Sequence, residues 1–281
     1  MKIALTGGTG LVGRFVAEAA RAAGHEVTLL SRHPPPGGLH YDLAGEVPDL
    51  SGQDALIHAA FQHAPGRYRG GEGADPAGFL AANRDGSLRL FAAARKAGVA
   101  RALFVSSRAV YGGHPPGTVL TEETPLRPDT LYGRMKAEVE QGLAGLSSSG
   151  FSTASLRATG VYGPGENHKW TTLFADFRAG RPIAPRVATE VHGADLAAAA
   201  LLLLSVPPSA LRSHAFNVSD LTLDLHDLLA EVARLTGCTA PLPPRSDAAS
   251  VNAMDCARLR ALGWQPGGWP LLRASLPAML G

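Results

Sequence analysis

Cysteine is almost missing: the 281 residues hold two, Cys238 and Cys256, far apart and outside any metal-ligand spacing. Neither a disulfide framework nor a thiolate metal centre is available, and a reducing cytoplasm is the simplest home. An excess of one charge is missing as well. The 26 Lys and Arg nearly balance the 24 Asp and Glu, for a net charge of +2, and no basic run stands out. That balance gives no footing for nucleic acid or a membrane surface as partner. No apolar run approaches the roughly 18 residues of a membrane span; the most apolar stretch, Leu196 to Leu204, reads as a buried helix. The chain opens directly on a strand that the fold needs, which leaves no room for a signal peptide. A soluble cytoplasmic protein is expected.

What is present is material for a core. Hydrophobic residues make up 45% and charged ones 18%, enough for one large domain with a small appendage. Apolar strand-like runs at Lys2 to Thr6, Glu26 to Leu30, Ala55 to Ala59, Arg101 to Ser106 and Thr153 to Arg157 alternate with helical stretches. The helices fall near Gly10 to Ala23, Gly78 to Ala97 and Leu131 to Ser149. Alternation of this kind predicts an α/β fold, a Rossmann-type doubly wound parallel sheet with helices on both faces. Residues 1–158, joined by about 188–218, are expected to form a dinucleotide-binding domain. Residues 159–187 and 219–281 are expected to form a small substrate-binding lobe.

The first thirteen residues carry the sharpest signal. A short apolar strand runs into Thr6-Gly7-Gly8-Thr9-Gly10-Leu11-Val12-Gly13, and an amphipathic run from Arg14 to Ala23 follows. Glycines three apart at a strand-to-helix turn cradle a dinucleotide pyrophosphate. Gly7 allows the tight turn, Gly10 lets backbone approach the phosphates, and Gly13 lets the helix pack on the strand. The helix N-terminus supplies unpaired N–H groups and a positive dipole end. Ligands of open sheets sit beyond the carboxyl ends of the strands, where Gly7, Asp42, Ala59, Ser107 and Arg157 fall. Two connections are long enough to matter. Phe61 to Pro76, with Arg67, Tyr68 and Arg69, is either a lid or a surface insertion, and Gly112 to Asp129 lies between two candidate catalytic elements.

Tyr132-Gly133-Arg134-Met135-Lys136 heads a predicted helix, and i, i+4 spacing puts phenol and ammonium on one face. A phenol that works near neutrality needs its anion stabilised by roughly 4 kcal/mol. A neighbouring lysine and a bound nicotinamide would each contribute. Ser106-Ser107 ends a strand where a hydroxyl could donate to a substrate oxygen. Together these residues describe hydride transfer, with the tyrosine managing the oxygen-bound proton.

With these motifs the chain resembles the extended short-chain dehydrogenase/reductase superfamily, also called the NAD-dependent epimerase/dehydratase family. The likeness rests on the glycine motif, Asp42-Leu43, Ile57-His58-Ala59-Ala60, Asn83-Arg84-Asp85-Gly86-Ser87, Ser106 to Gly112 and Tyr132 to Lys136. It continues through Leu156-Arg157, Val161 to Gly165, His192 to Leu196 and Leu262 to Pro266. The resemblance implies Tyr132 as acid/base and Lys136 as the modulator of its proton affinity and holder of the nicotinamide ribose. Ser107 would orient the substrate oxygen, and Asn83 would support the helix and proton relay. Gly7, Thr9, Gly10, Leu11, Val12, Gly13, Asp42, Leu43, Ala59 and Ala60 are implied cofactor contacts. His58, ending an inner strand, reads instead as a packed, hydrogen-bonded core group. The resemblance also implies a homodimer paired through the helices Gly78 to Ala97 and Leu131 to Ser149.

Departures from the family pattern narrow this reading. Members preferring NAD carry an acidic residue after the second strand, whereas this chain has Ser31-Arg32. An arginine there suits the 2′-phosphate of NADP(H), so NADP(H) is expected to be preferred, with NAD(H) as the alternative. Arg108-Ala109 stands where the family's dehydratases have Asp-Glu, which argues against elimination of water. Gly160 replaces an asparagine that helps hold nucleotide sugars, while Arg157, Lys169, Arg181 and Arg186 are candidate anion contacts and otherwise solvated charges. The expectation is an NAD(P)-dependent oxidoreductase acting on a hydroxyl or carbonyl of a sugar-like or other small polyfunctional substrate, leaning to reduction by NADPH. A sugar or nucleotide-sugar epimerase with tightly held NAD is the alternative, followed by a non-catalytic dinucleotide sensor.

Overall fold

Side chains alternate across a strand, and that alternation organises the computed structural model, which describes residues 1–64, 71–166, 168–211 and 214–281. Ile3 and Leu5, Ala55 and Ile57, and Leu103 and Val105 enter one apolar core. The residues between them, Ala4, Leu56, Ala102 and Phe104, enter another. A sheet buried on both faces requires helices on both faces. The elements are β1 (Lys2–Thr6), α1 (Gly13–Ala22), β2 (Glu26–Ser31), β3 (Leu39–His40), β4 (Ala55–His58), α2 (Pro76–Leu80), α3 (Gly86–Lys96), β5 (Arg101–Ser107) and α4 (Leu131–Gly145). They continue as β6 (Ser152–Ala158), β7 (Gly160–Tyr162), α5 (Thr171–Arg178), β8 (Val187–His192), α6 (Gly193–Ser205), β9 (Ala215–Val218) and β10 (Leu221–Asp224). Helices α7 (Leu225–Thr236), α8 (Ala257–Ala261) and α9 (Gly268–Leu280) complete the chain.

Seven strands form one parallel sheet in the order β3-β2-β1-β4-β5-β6-β9, so the chain has the expected Rossmann-type α/β fold. Helices α1 and α6 cover one face, and α2, α3 and α4 the other. The Leu196 to Leu204 run is the buried body of α6, and no helix among the described residues is long and apolar enough to cross a membrane. Strands β10, β8 and β7 make a separate three-stranded sheet, backed by a third core in which Tyr162, Trp170, Phe177, Leu228 and Leu272 meet. The sequence reading groups β8 with the large unit. The strand instead pairs with β7 and β10, Glu190 lying opposite both Gly160 and Leu221.

Three helix boundaries differ from expectation, each for a local reason. The segment from Gly10 is a turn, closed by the Gly10 N–H on the Gly7 carbonyl at 3.0 Å, and α1 starts at Gly13. Helix α4 stops at Gly145 because Ser148 and Phe151 exchange backbone hydrogen bonds that turn the chain into β6. The helix expected over Gly78 to Ala97 is interrupted by a π-helical turn, Ala81–Asp85, between α2 and α3.

Candidate active site

The glycines of the first loop do different things. Gly7 has φ +69°, and a Cβ there would stand 2.7 Å from the Ala59 carbonyl carbon and the Ala60 nitrogen, at the exit of β4. A Cβ on Gly13 would overlap the Gly7 carbonyl, so the close seating of α1 on this turn needs that glycine too. Gly10 is exposed, and a Cβ there would meet only the Gly7 oxygen, at 3.3 Å. Its outward face is open backbone beside exposed Thr9 and half-buried Leu11 and Val12. The first turn of α1 carries no side-chain cap and no acidic residue; the Arg14 and Phe15 N–H groups bond back to the Gly10 and Val12 carbonyls at 3.2 and 3.3 Å, and the positive end of the helix faces the loop with no carboxylate competing for it. These features fit a dinucleotide pyrophosphate.

Behind the loop a directional chain of hydrogen bonds ties β1 to β4 and α3. Thr6 Oγ1 accepts from the Ala59 and Ala60 N–H groups at 3.2 and 3.1 Å and meets His58 Nδ1 at 2.6 Å. With its acceptor capacity used, the threonine donates. His58 Nδ1 therefore accepts and Nε2–H donates to Ser87 Oγ at 2.8 Å, while Ser87 donates to the Asn83 carbonyl. Burial, assisted by the Lys136 charge, pushes His58 down to about 3. His58 is the neutral, packed core group that the sequence suggested.

Asn83 is buried, and its side chain is occupied. It accepts the Gln62 N–H at 2.7 Å and donates to the carbonyls of Gln62 at 2.8 Å and Phe79 at 3.0 Å. The π-helical turn thus clamps the chain as it leaves β4, next to Ala59 and Ala60. Phe61 in that exit lies edge-on to the Tyr132 ring, centroids 5.0 Å apart. The rest of the expected Phe61 to Pro76 feature, including Arg67, Tyr68 and Arg69, lies partly outside the described residues.

Tyr132, Lys136 and Ser107 come together. Thr130 caps α4 by accepting the Gly133 N–H at 3.0 Å. A Cβ on Gly133 would overlap the Ala109 carbonyl, so only glycine lets the helix approach the turn that follows β5. That approach brings the Tyr132 phenol beside the Ser107 hydroxyl, whose favourable interaction offsets part of the upward push of burial on the phenol. Ser107 also accepts the Ala109 N–H at 3.1 Å. Lys136 is buried, donates to the Val105 carbonyl at 2.8 Å and lies 4.3 Å from the Phe104 ring centroid. Burial lowers its ammonium to about 7, against the opposing charge of Glu140. The hydroxyl of Ser107, rather than the lysine charge, is what bears on the phenol in this arrangement.

At the end of β2, Ser31 Oγ is buried without a hydrogen-bond partner among the described residues, and Arg32 beside it is exposed. Asp42 Oδ1 accepts the Ala44 N–H at 2.8 Å, and Leu43 is buried with its carbonyl bonded to Arg89. Of the four candidate anion contacts, Arg157 is buried against Glu140 at 2.7 Å, Lys169 is paired with Glu190, Arg181 with Asp176, and Arg186 stands 4.0 Å from Glu190. Each has an acidic neighbour, and Arg157 is not a solvated charge. The Lys169–Glu190 pair fills the space that a Cβ on Gly160 would enter. Gly133, Phe61 and Glu140 shape the site without a motif of their own; the i+4 step from Lys136 to Glu140 is the one sequence signal among them.

The two late motifs also meet. Trp264 Nε1 donates to the Asp195 carbonyl at 2.9 Å, and the Gly267 N–H lies 3.1 Å from the Asp195 carboxylate. Comparisons with known proteins agree with this geometry. The model of the NAD dependent epimerase/dehydratase family matches residues 3–219. The chain is 28% identical over 309 residues to a UDP-glucose 4-epimerase of Streptomyces lividans, covering 94% of this chain and 91% of that protein. It is 30% identical over 187 residues to that of Corynebacterium glutamicum, a match spanning 61% of this chain and 56% of the relative. The solved structure of a Thermus thermophilus UDP-glucose 4-epimerase in complex with NAD superposes with a TM-score of 0.79 at 26% identity, over 100% of this chain and 99% of that one. On the family match and the assembled site, the chain belongs to the NAD-dependent epimerase/dehydratase family, within the extended short-chain dehydrogenase/reductase enzymes.

Proposed function

We propose that the protein is an NAD(P)-dependent oxidoreductase that interconverts a hydroxyl and a carbonyl on a sugar-like or other small polyfunctional substrate, with net reduction and NADP(H) preferred. The observation that carries it is the convergence of the Tyr132 phenol, the Ser107 hydroxyl and buried Lys136 at the carboxyl end of β5. A bound nicotinamide supplies the hydride chemistry. Gly7, Thr9, Gly10, Leu11, Val12 and Gly13 would hold its pyrophosphate, and Lys136 its ribose. Ser107 would hold the substrate oxygen, and Tyr132 would give or take the proton on that oxygen. Asp42, Leu43, Ala59 and Ala60 would border the adenine and nicotinamide ends. Asn83 acts through the exit of β4, because its side chain is spent on Gln62 and Phe79. Residues 159–187 and 219–281 would form the lobe that covers the substrate.

The preference for NADP(H) is supported by Ser31 and Arg32, which leave the carboxyl end of β2 without an acidic residue and with a hydroxyl that has no partner among the described residues, beside an exposed guanidinium. A 2′-phosphate would meet both. Epimerisation with tightly held NAD is the second reading, favoured by the near full-length likeness to the Streptomyces lividans enzyme. Release and identification of any nucleotide carried by the purified protein, followed by fluorescence titration with NADPH and NADH, separates the two. Empty protein binding NADPH more tightly is the expected outcome; retained NAD would transfer the proposal to the epimerase. Two-fold pairing through α3 and α4 in the cytoplasm belongs to the same reading, and the mass of the protein in solution tests the pairing.

A further inference from the structure

Glu140 has no part in the reaction proposed above, yet it is buried and held on two sides. The Ser106 hydroxyl donates to Oε1, while Arg157 donates to Oε2 through Nη2 at 2.7 Å and Nε at 3.0 Å. Arg157 is held in turn, its Nη1 donating to the Tyr111 hydroxyl at 2.9 Å, and Tyr111 donates to Asn217 Oδ1 at 2.6 Å. A buried ion pair of this kind seldom adds stability over an apolar pair of similar volume. It does fix a charge in place.

The place is informative. Tyr132, Lys136 and Glu140 are spaced four apart along one side of α4. They meet Ser107, the Val105 carbonyl and Ser106 respectively, three consecutive residues of β5. Lys136 is faced by His58 from β4, neutral at ordinary pH, by the rings of Phe61 and Phe104, and by Tyr132 and Glu140 of its own helix. Of these groups Glu140 is the one that carries negative charge.

We propose that Glu140 is a positioning residue for the Tyr132–Lys136 pair: locked by Ser106 and Arg157, its carboxylate fixes α4 against the end of β5 and keeps Lys136 a cation. The catalytic meaning rests on the function proposed above, but the test does not require a substrate. Lysine labelled with carbon-13 at Cε in the full chain reports the titration of Lys136 directly by NMR, assigned with Lys136→Met. Glu140→Gln is expected to lower the Lys136 midpoint by about one pH unit or more. Ser106→Ala, which keeps the charge, is expected to leave it in place. Because Glu140→Gln strands the Arg157 guanidinium, Glu140→Gln/Arg157→Met is measured beside it, with a smaller downward shift expected, since the opposing charge leaves with the carboxylate. An unchanged midpoint in the folded variants, or an equal shift in Ser106→Ala, would overturn the proposal. Absence of any carbonyl reduction alongside a shifted midpoint would count against the proposed function and leave the role of Glu140 standing.

Discussion

In the proposed reaction single side chains decide cofactor choice and proton transfer. Arg32 is exposed at the end of β2 and can reach a phosphate with two parallel donors. Arg32→Ala should weaken NADPH about tenfold or more, the loss of a charge-assisted contact, while NADH changes little; fluorescence titration with both nucleotides reads this, and equal losses would remove Arg32 from the site. In the proposed reaction Tyr132 exchanges a proton with the substrate oxygen. Tyr132→Phe keeps the ring against Phe61 and removes the hydroxyl beside Ser107. Turnover should fall by about 10² to 10⁴, the usual worth of a positioned acid or base, with unchanged circular dichroism and nucleotide affinity. A variant retaining a tenth or more of parental turnover would point to another proton carrier.

At the scale of elements, two close approaches hold the cofactor loop. Gly193 opens α6 directly on the Phe15 ring of α1, where a Cβ would overlap the aromatic carbons. Gly193→Ala should cost about 1–3 kcal/mol through forced repacking, measured as a lower urea midpoint; an unchanged midpoint would mean that the two helices slide freely. Asn83→Ala removes the clamp on Gln62, whose bond to Asn83 is part-buried, for about 0.5–1.5 kcal/mol, and should loosen NADPH by disturbing Ala59 and Ala60. These elements also mark the limit of what the sequence reveals. Strands β1, β4 and β5 were legible because a sheet buried on both faces writes itself as unbroken apolar runs, and the glycine loop because its spacing answers backbone sterics. The π-helical turn was not, since Asn83 creates it by bonding to Gln62 twenty-one residues away. The small sheet was not either, because strands as short as Gly160–Tyr162 carry too little periodicity and draw their order from neighbours. Glu140 carries no motif in the sequence, because its partner Arg157 comes from β6.

Across the whole molecule, buried titratable groups tie folding to pH. His58 and His192 are held to about 3 and about 4 by burial, whereas an unfolded histidine titrates near 6.5. The unfolded chain takes those protons first, so stability falls as pH drops from about 6.5 toward 4. Asp195, raised to about 6 by burial, opposes this: the folded carboxyl keeps a proton that the unfolded chain releases, adding stability as pH falls through 6. Two histidines outweigh one aspartate, and urea midpoints should decline on acidification, more steeply in Asp195→Asn. A shallower decline in that variant would contradict the sign. The hydrogen-bonded chain from Thr6 through His58 to Ser87 has a separate use. It fixes one imidazole tautomer against Thr6, the residue before Gly7, where the nucleotide is expected to rest. The two ring nitrogens therefore form a built-in gauge: nitrogen-15 signals of His58 should stay sharp and unmoved across neutral pH, yet shift when a nucleotide settles on the loop, giving a readout of occupancy from inside the sheet without an attached dye.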